Sequence, residues 1–361
     1  MKISNSTQGI FTGEFAVSLA LRKGKSIVAY LLVIWVSIIF CCCSDDKESK
    51  SGLGFEIQRT SDSCYIHIRQ SDSEQIEQVF AFHKDSIFSR IVTTSVTQVG
   101  FLQAIGAETH IAGVCDSEYL YTGLPGAVDV GSSLTLDYEK IINTKADLVL
   151  LTYNGDSRFD TRLSDFGIPT LMINEWREQN PLSRAEWVKV FGALTGKEYV
   201  ADSVFLSVTK AYNKAKTHRS ESEKVSIMSG SAWQGTWYVP DGNTYMAQLF
   251  RDAGANYIYR EGKGASIPLS FEEALLKFKD ADVWVGAPVE TLQQLRDRDE
   301  KNTWFKAYQS GRVYSFNKRT NGAANDFWQM GVAHPEYILQ DLVHILNNDS
   351  DSLMFFSQKL R

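Results

Sequence analysis

Two similar three-layer α/β lobes with mostly parallel sheets, joined by one long backbone helix and preceded by a small N-terminal β extension, are predicted by three features of this sequence. From Ser89 onward, β-branched runs such as Ile91-Val-Thr-Thr-Ser95 alternate with helical segments that end in glycine, the pattern of βαβ units. Second, Leu136-Asp-Tyr-Glu-Lys-Ile-Ile-Asn-Thr-Lys-Ala-Asp-Leu-Val-Leu150 is echoed by Leu269-Ser-Phe-Glu-Glu-Ala-Leu-Leu-Lys-Phe-Lys-Asp-Ala-Asp-Val-Trp-Val285. A weaker echo pairs Leu102-Gln-Ala-Ile-Gly-Ala107 with Phe250-Arg-Asp-Ala-Gly-Ala255, at a different spacing, so the units are related lobes and not a solenoid. Third, the chain between the echoes, Arg184 to Lys216, reads as helical with interruptions at Gly192 and Gly196. Its second half, Glu198 to Tyr212, is amphipathic, as suits a rigid connector.

Taken in order, residues 1–43 read as a secretory signal with a lipidation site. Arg22, Lys23 and Lys25 precede the uncharged run Ser26–Phe40, which leads into Cys41-Cys42-Cys43. The run is marginal as a membrane span. A cysteine at the end of such a run resembles the lipobox of bacterial lipoproteins, where the thiol is acylated. Cys43 is the expected position, with Cys42 the close alternative, and bulky Phe40 counts against Cys41. The following Ser44-Asp-Asp-Lys-Glu48 resembles the export signal of Bacteroidetes surface lipoproteins, so the expected location is the periplasm or cell envelope, lipid-anchored, with outer-surface display open. Residues 44–88 form a polar linker and then short alternating runs, Phe55–Arg59, Tyr65–Arg69 and Gln78–Phe82, that predict antiparallel strands. The N-terminal lobe is placed at 89–181, the interlobe helix at 182–222 and the C-terminal lobe at 223–361. In each echo an N-cap residue, Asp137 or Ser270, opens a short helix. Trp187 and Trp284 fall on a helix and a strand that predict core positions.

Composition narrows the function. The net charge of −6 arises although Lys2, Arg22, Lys23 and Lys25 face only Glu14 in the signal region, so the body is more acidic still. Such a body is a poor partner for nucleic acid. There is no Gly-x-Ser-x-Gly, Walker loop or His-Glu-x-x-His, and an enzyme is not expected. No cofactor and no metal site is expected either: Cys-x-x-Cys is absent and the six histidines are scattered. Among them, His334 is expected to cap a helix beginning at Pro335. Cys64 and Cys115 leave one disulfide open as a possibility.

In open α/β sheets, ligands sit beyond the carboxyl ends of strands. That rule selects Ser95, Tyr119 and Tyr153 in the first lobe, and Trp233, Trp237 and Tyr238 after an apolar strand in the second.

From Ser89 to the C-terminus the chain resembles the class III periplasmic binding proteins of the cobalamin, ferric-siderophore and haem type. The stretches that carry the resemblance are Arg90–Ser95, Gly106-Ala107 with Ile111–Val114, Tyr138–Ile141 with Ala146–Leu150, Gly167–Pro169 and Ala253–Ala255. It implies a monomer that holds a small molecule between its lobes and delivers it to an ABC permease in the inner membrane. The loop after Val313–Phe316, which carries Arg319 and Asn325 with Trp328 close by, resembles the polar loop that faces the ligand in that family. Glu139 and Glu272 match the glutamates that meet permease arginines in that family, although the helix dipole alone also favours a first-turn glutamate. Ser132-Ser133 and Ala265-Ser266 stand where cobalamin binders carry a stacking tryptophan. An iron chelate or haem is therefore the favoured ligand, with cobalamin behind it. A zinc- or manganese-type binder and a surface scavenger without an ABC partner are the alternatives.

Overall fold

The computed structural model describes residues 53–70, 75–152, 161–217, 224–349 and 354–361. The signal segment, Cys43 and Tyr153 lie outside the described residues. The chain opens with an antiparallel meander, β1 (Phe55–Arg59), β2 (Ser63–Arg69) and β3 (Ile76–His83). Strict alternation puts Cys64, Ile66 and Ile68 of β2 inside, and Ile66, Ile68 and Phe80 join the same apolar cluster as Phe101 and Phe191. The extension is thus part of the first lobe's core.

A five-stranded, wholly parallel sheet follows. It consists of β4 (Ile91–Thr93), β5 (Ile111–Val114), β6 (Val128–Asp129), β7 (Leu148–Thr152) and β8 (Thr170–Ile173), in the order β8-β7-β4-β5-β6. The chain winds outward from β4 in both directions, which makes the carboxyl end of β4 the switch point of the sheet. Helix α1 (Val96–Ala104) starts there, N-capped by Ser95, and α2 (Tyr138–Asn143) precedes β7.

The connector is helical throughout but divided into α3 (Pro181–Glu186), α4 (Val188–Thr195) and the 18-residue α5 (Glu198–Ala215). Gly196 ends α4 with φ +68, so the expected interruption there is real. Gly192 is different. It lies inside α4, and a Cβ on it would come within 2.6 Å of the Ala201 Cβ, so it serves close packing of α4 on α5 and does not break the helix.

The second sheet comprises β9 (Ile227–Ser229), β13 (Val283–Val285), β14 (Val313–Ser315) and β15 (Gln358–Lys359), the first three parallel and the last antiparallel. Beside it, β10 (Ser231–Trp233), β11 (Thr236–Pro240) and β12 (Ser266–Leu269) form an antiparallel meander. Helices α6 (Tyr245–Asp252), α7 (Phe271–Phe278), α8 (Asp326–Gln329) and α9 (Pro335–Asn347) belong to this part, with two further short helices over Leu292–Arg298 and Lys306–Gln309. The core prediction for Trp187 and Trp284 holds, since both are fully buried. His334 occupies the N-cap position of α9, but its side chain makes no capping bond and instead faces Glu336 Oε1 through Nδ1 at 2.9 Å. Cys64 and Cys115 are both buried and unpaired.

The two parts meet through α1 and α8. The buried Gln329 side chain accepts from Tyr121 N at 2.8 Å and donates to Gln103 Oε1 at 2.6 Å. Val332 and Ala333, just beyond, belong to the first lobe's apolar cluster.

Candidate functional site

At the switch point the carboxyl ends of β4, β5 and β7 are laced together. Thr94 Oγ1 accepts from Thr152 N at 3.1 Å, and Gln98 joins them by accepting from Thr94 N at 2.9 Å and donating to Thr152 Oγ1 at 3.1 Å. Asp116, the second residue beyond β5, has φ 52 and accepts from Ser133 N at 3.0 Å. A left-handed aspartate at a strand end is a strained position of the kind that gathers at binding sites. Above these residues lies a cavity of about 280 Å³ lined by Thr94, Ser95, Asp116, Tyr119, Asn325 and Trp328 among others. A second cavity of about 510 Å³ continues past Trp328, with Trp176 and Arg177 on one side and Tyr245 and Lys263 on the other. Trp328 lines both and is 62% exposed, so its indole is a broad apolar wall within one cleft between the lobes.

Ser95, Tyr119 and Asn325 all line the smaller cavity. Asn325 is held by donating to Phe316 O at 3.1 Å and by capping α8. Trp233 and Tyr238 are exposed but line neither cavity; they share the outer face of the β10–β12 meander with Pro240 and Ser266, which do line the larger one.

Two expectations are corrected. Trp237 is only 1% exposed: alternation along β11 turns it inward when Tyr238 faces out, and its ring packs on Trp284 and Phe305 at 5.3 and 5.4 Å while its indole N–H donates to Ser229 O. It is a core residue and presents no face to the cleft. Arg319 also lines neither cavity. Its Nε lies 2.6 Å from buried Asp326, and its guanidinium stacks on Phe355 and Tyr121 at 4.5 and 5.1 Å. These neighbours already engage its charge, so it is not available to a ligand in either cavity.

Sequence reasoning passed over Trp176, Arg177 and Lys263. Trp176 and Arg177 follow β8 as Ser95 follows β4, so the same strand-end rule reaches them. Arg177 is paired with Glu77 at 3.1 Å, and Arg184, also in the wall, lies 3.5 Å from Glu175. Cys115 faces the smaller cavity, but burial, reinforced by Asp116 and Asp129, pushes its thiol up to about 12, so it is no nucleophile at neutral pH.

Glu139 and Glu272 lie apart from both cavities, each the second residue of its helix and exposed. The predicted caps are formed: Asp137 accepts from Lys140 N at 3.0 Å, and Ser270 makes a capping box with Glu273. Among the described residues, the cation nearest Glu272 is Lys301, at 3.8 Å.

Residues 91–320 match the periplasmic binding protein family. The chain belongs to that family. Its members bind small solutes and work with ABC permeases. An uncharacterized lipoprotein of Methanocaldococcus jannaschii is 27% identical over 281 residues, 73% of this chain and 66% of that protein. Among solved structures, a possible iron-binding, periplasmic solute-binding protein from Staphylococcus epidermidis aligns with TM-score 0.56 at 17% identity, covering 72% of this chain and 99% of its own. A periplasmic haem-binding protein of Vibrio cholerae aligns with TM-score 0.55 at 17% identity, covering 70% and 99%. At these identities the structures show the shared fold, two α/β lobes about a cleft.

Proposed function

We propose that this chain is the lipid-anchored solute-binding protein of an ABC importer that takes an iron chelate, a ferric siderophore or haem, or else cobalamin, between its lobes and hands it to the permease. The observation that carries this reading is the cleft at the switch point, where two cavities meet across the exposed face of Trp328. Its larger part falls in the size range of small-molecule sites, and an apolar wall with few polar groups suits a bulky, partly apolar ligand. The iron and haem binders of the same fold support the ligand class, and Glu139 and Glu272 supply the permease contact.

The test is titration with haemin, a ferric siderophore and cyanocobalamin, followed by tryptophan fluorescence. Trp328→Ala is expected to weaken the bound ligand by about 2 kcal/mol, some thirtyfold, by removing a flat stacking surface. Trp233→Ala, outside both cavities, is expected to change affinity by no more than about twofold. Absence of binding to all three ligands by the wild type overturns the ligand class; equal effects of the two substitutions overturn the placement.

Anchoring at Cys43 is part of the same reading, and the archaeal relative bears the name of a lipoprotein. Cys43→Ser is expected to abolish incorporation of radiolabelled palmitate and to release the protein from membranes. Label retained in that variant would move the site to Cys42.

A further inference from the structure

The geometry points to Lys263 as the residue that meets an anionic group of the ligand, with Asp241 as the positioning residue that holds it in the wall of the larger cavity. This rests on the ligand site proposed above and names the chemistry at one end of it. Lys263 is exposed in that cavity, and its ammonium has no ion-pair partner among the described residues. The other cations of the wall are engaged, Arg177 by Glu77 and Arg184 by Glu175. Glu178, the acid in the same wall, accepts from Gly54 N at 2.8 Å and from Trp187 Nε1 at 2.9 Å.

The loop that carries Lys263 is built with unusual care for a surface segment. The buried Asp241 carboxylate accepts from four backbone N–H groups: Lys263 at 2.7 Å, Asn243 at 3.0 Å, and Gly264 and Ala265 at 3.2 Å each. Burial pushes this carboxyl up, but the four bonds outweigh it and leave it below the ordinary range, so it is ionised at neutral pH. Asp241 N–H also donates to Ala265 O at 3.0 Å, and Asn243 Nδ2 to Gly262 O at 2.6 Å. A Cβ on Gly262 would fall 2.3 Å from the Asp241 carboxyl carbon, and one on Gly242 2.1 Å from Glu261 N. Gly264 has φ +80, and a Cβ on it would fall 2.8 Å from Gln179 Nε2. A flexible lysine is thus rooted on a backbone with little freedom, which lowers the entropy lost when its ammonium meets an anion.

The experiment uses the full chain in detergent, with haemin, which carries two carboxylates, its dimethyl ester, which carries none, and cyanocobalamin. Lys263→Met is expected to weaken haemin about tenfold to a hundredfold, the range for a charge-assisted hydrogen bond, and to leave the ester within about twofold. Asp241→Asn is expected to lower the haemin-to-ester preference and to add nothing further to it in the Lys263→Met background. A purely structural role for Asp241 would lower both affinities together and leave their ratio unchanged. Arg319→Met is expected to leave that ratio unchanged, being held by Asp326. A wild type that prefers haemin to its ester, combined with an unchanged preference in Lys263→Met, overturns this assignment and leaves the cleft reading standing. If the wild type binds none of these and no ferric siderophore either, the proposed ligand class fails first, and this assignment falls with it.

Discussion

Charge reversal of both Glu139 and Glu272 to lysine is expected to abolish uptake while the affinity for ligand in solution stays within about twofold. Each glutamate is the second residue of a short helix whose N-terminus is already closed by Asp137 or Ser270, so neither is needed to cap it. Neither lines either of the two cleft cavities, and both are exposed. The helix dipole does favour a first-turn acid, by about 0.3–1 kcal/mol, so each reversal will cost some stability. That cost is small beside the stability of a chain with two large cores. The 3.8 Å approach of Lys301 to Glu272 is between exposed side chains and contributes little. What remains is a pair of matched acids on two matched helices, suited to meeting a partner with two basic patches. Contacts of this kind steer and orient docking, and repulsion from the reversed charges should deepen as salt is lowered. Uptake in cells that carry only the double variant, beside ligand titration of the same protein, separates docking from binding. Undiminished uptake would discard the docking roles and favour a scavenger that relays ligand without an ABC partner.

The features legible in the sequence are those governed by local rules. Asp137 and Ser270 cap their helices because capping depends on residues three apart. Ser95 and Tyr119 reach the cleft because a parallel strand delivers its next residues to one edge of the sheet. Trp237 was less accessible, although a local signal existed. Gln234 and Gly235 have φ 48 and 81, a two-residue hairpin turn that pairs Trp233 with Thr236 and so puts Trp233 and Tyr238 on one face, Trp237 on the other. Reading that turn excludes Trp233 and Trp237 from sharing a wall. Arg319 is a harder case, since nothing in the spacing tells whether a cation reaches a ligand or a carboxylate seven residues on. Lys263 was beyond reach. Its position depends on a carboxylate 22 residues earlier in the chain, and a lysine between two glycines reads as an ordinary solvated turn.

Gly100→Ala is expected to destabilise the protein by about 3 kcal/mol or more, a sign opposite to that of the same change in an open helix. In an exposed helix interior, alanine is favoured over glycine by about 1 kcal/mol. Gly100 is the fifth residue of α1, and a Cβ built there would lie 1.8 Å from the carbonyl oxygen of Gln329 and 2.7 Å from its carbonyl carbon. Those are main-chain atoms of α8, which cannot swing aside as a side chain would. Relief requires α1 and α8 to separate, and they are the elements that join the two parts of the fold. Separation also stretches the buried Gln329 amide away from Tyr121 N, Gln103 and Thr122, leaving buried polar groups short of partners. Overpacking of this kind typically costs 1–3 kcal/mol, and the lost interlobe bonds add to it. Gln329→Ala is the control. It deletes the side-chain bonds and leaves the clash atom in place, so it should cost about 1–3 kcal/mol alone and fail to rescue Gly100→Ala. Denaturant unfolding of the two single variants and the double decides the matter: a Gly100→Ala protein as stable as wild type would show that the lobes are not in backbone contact at this point, and the cleft would then be free to open far more widely than the α1–α8 junction allows.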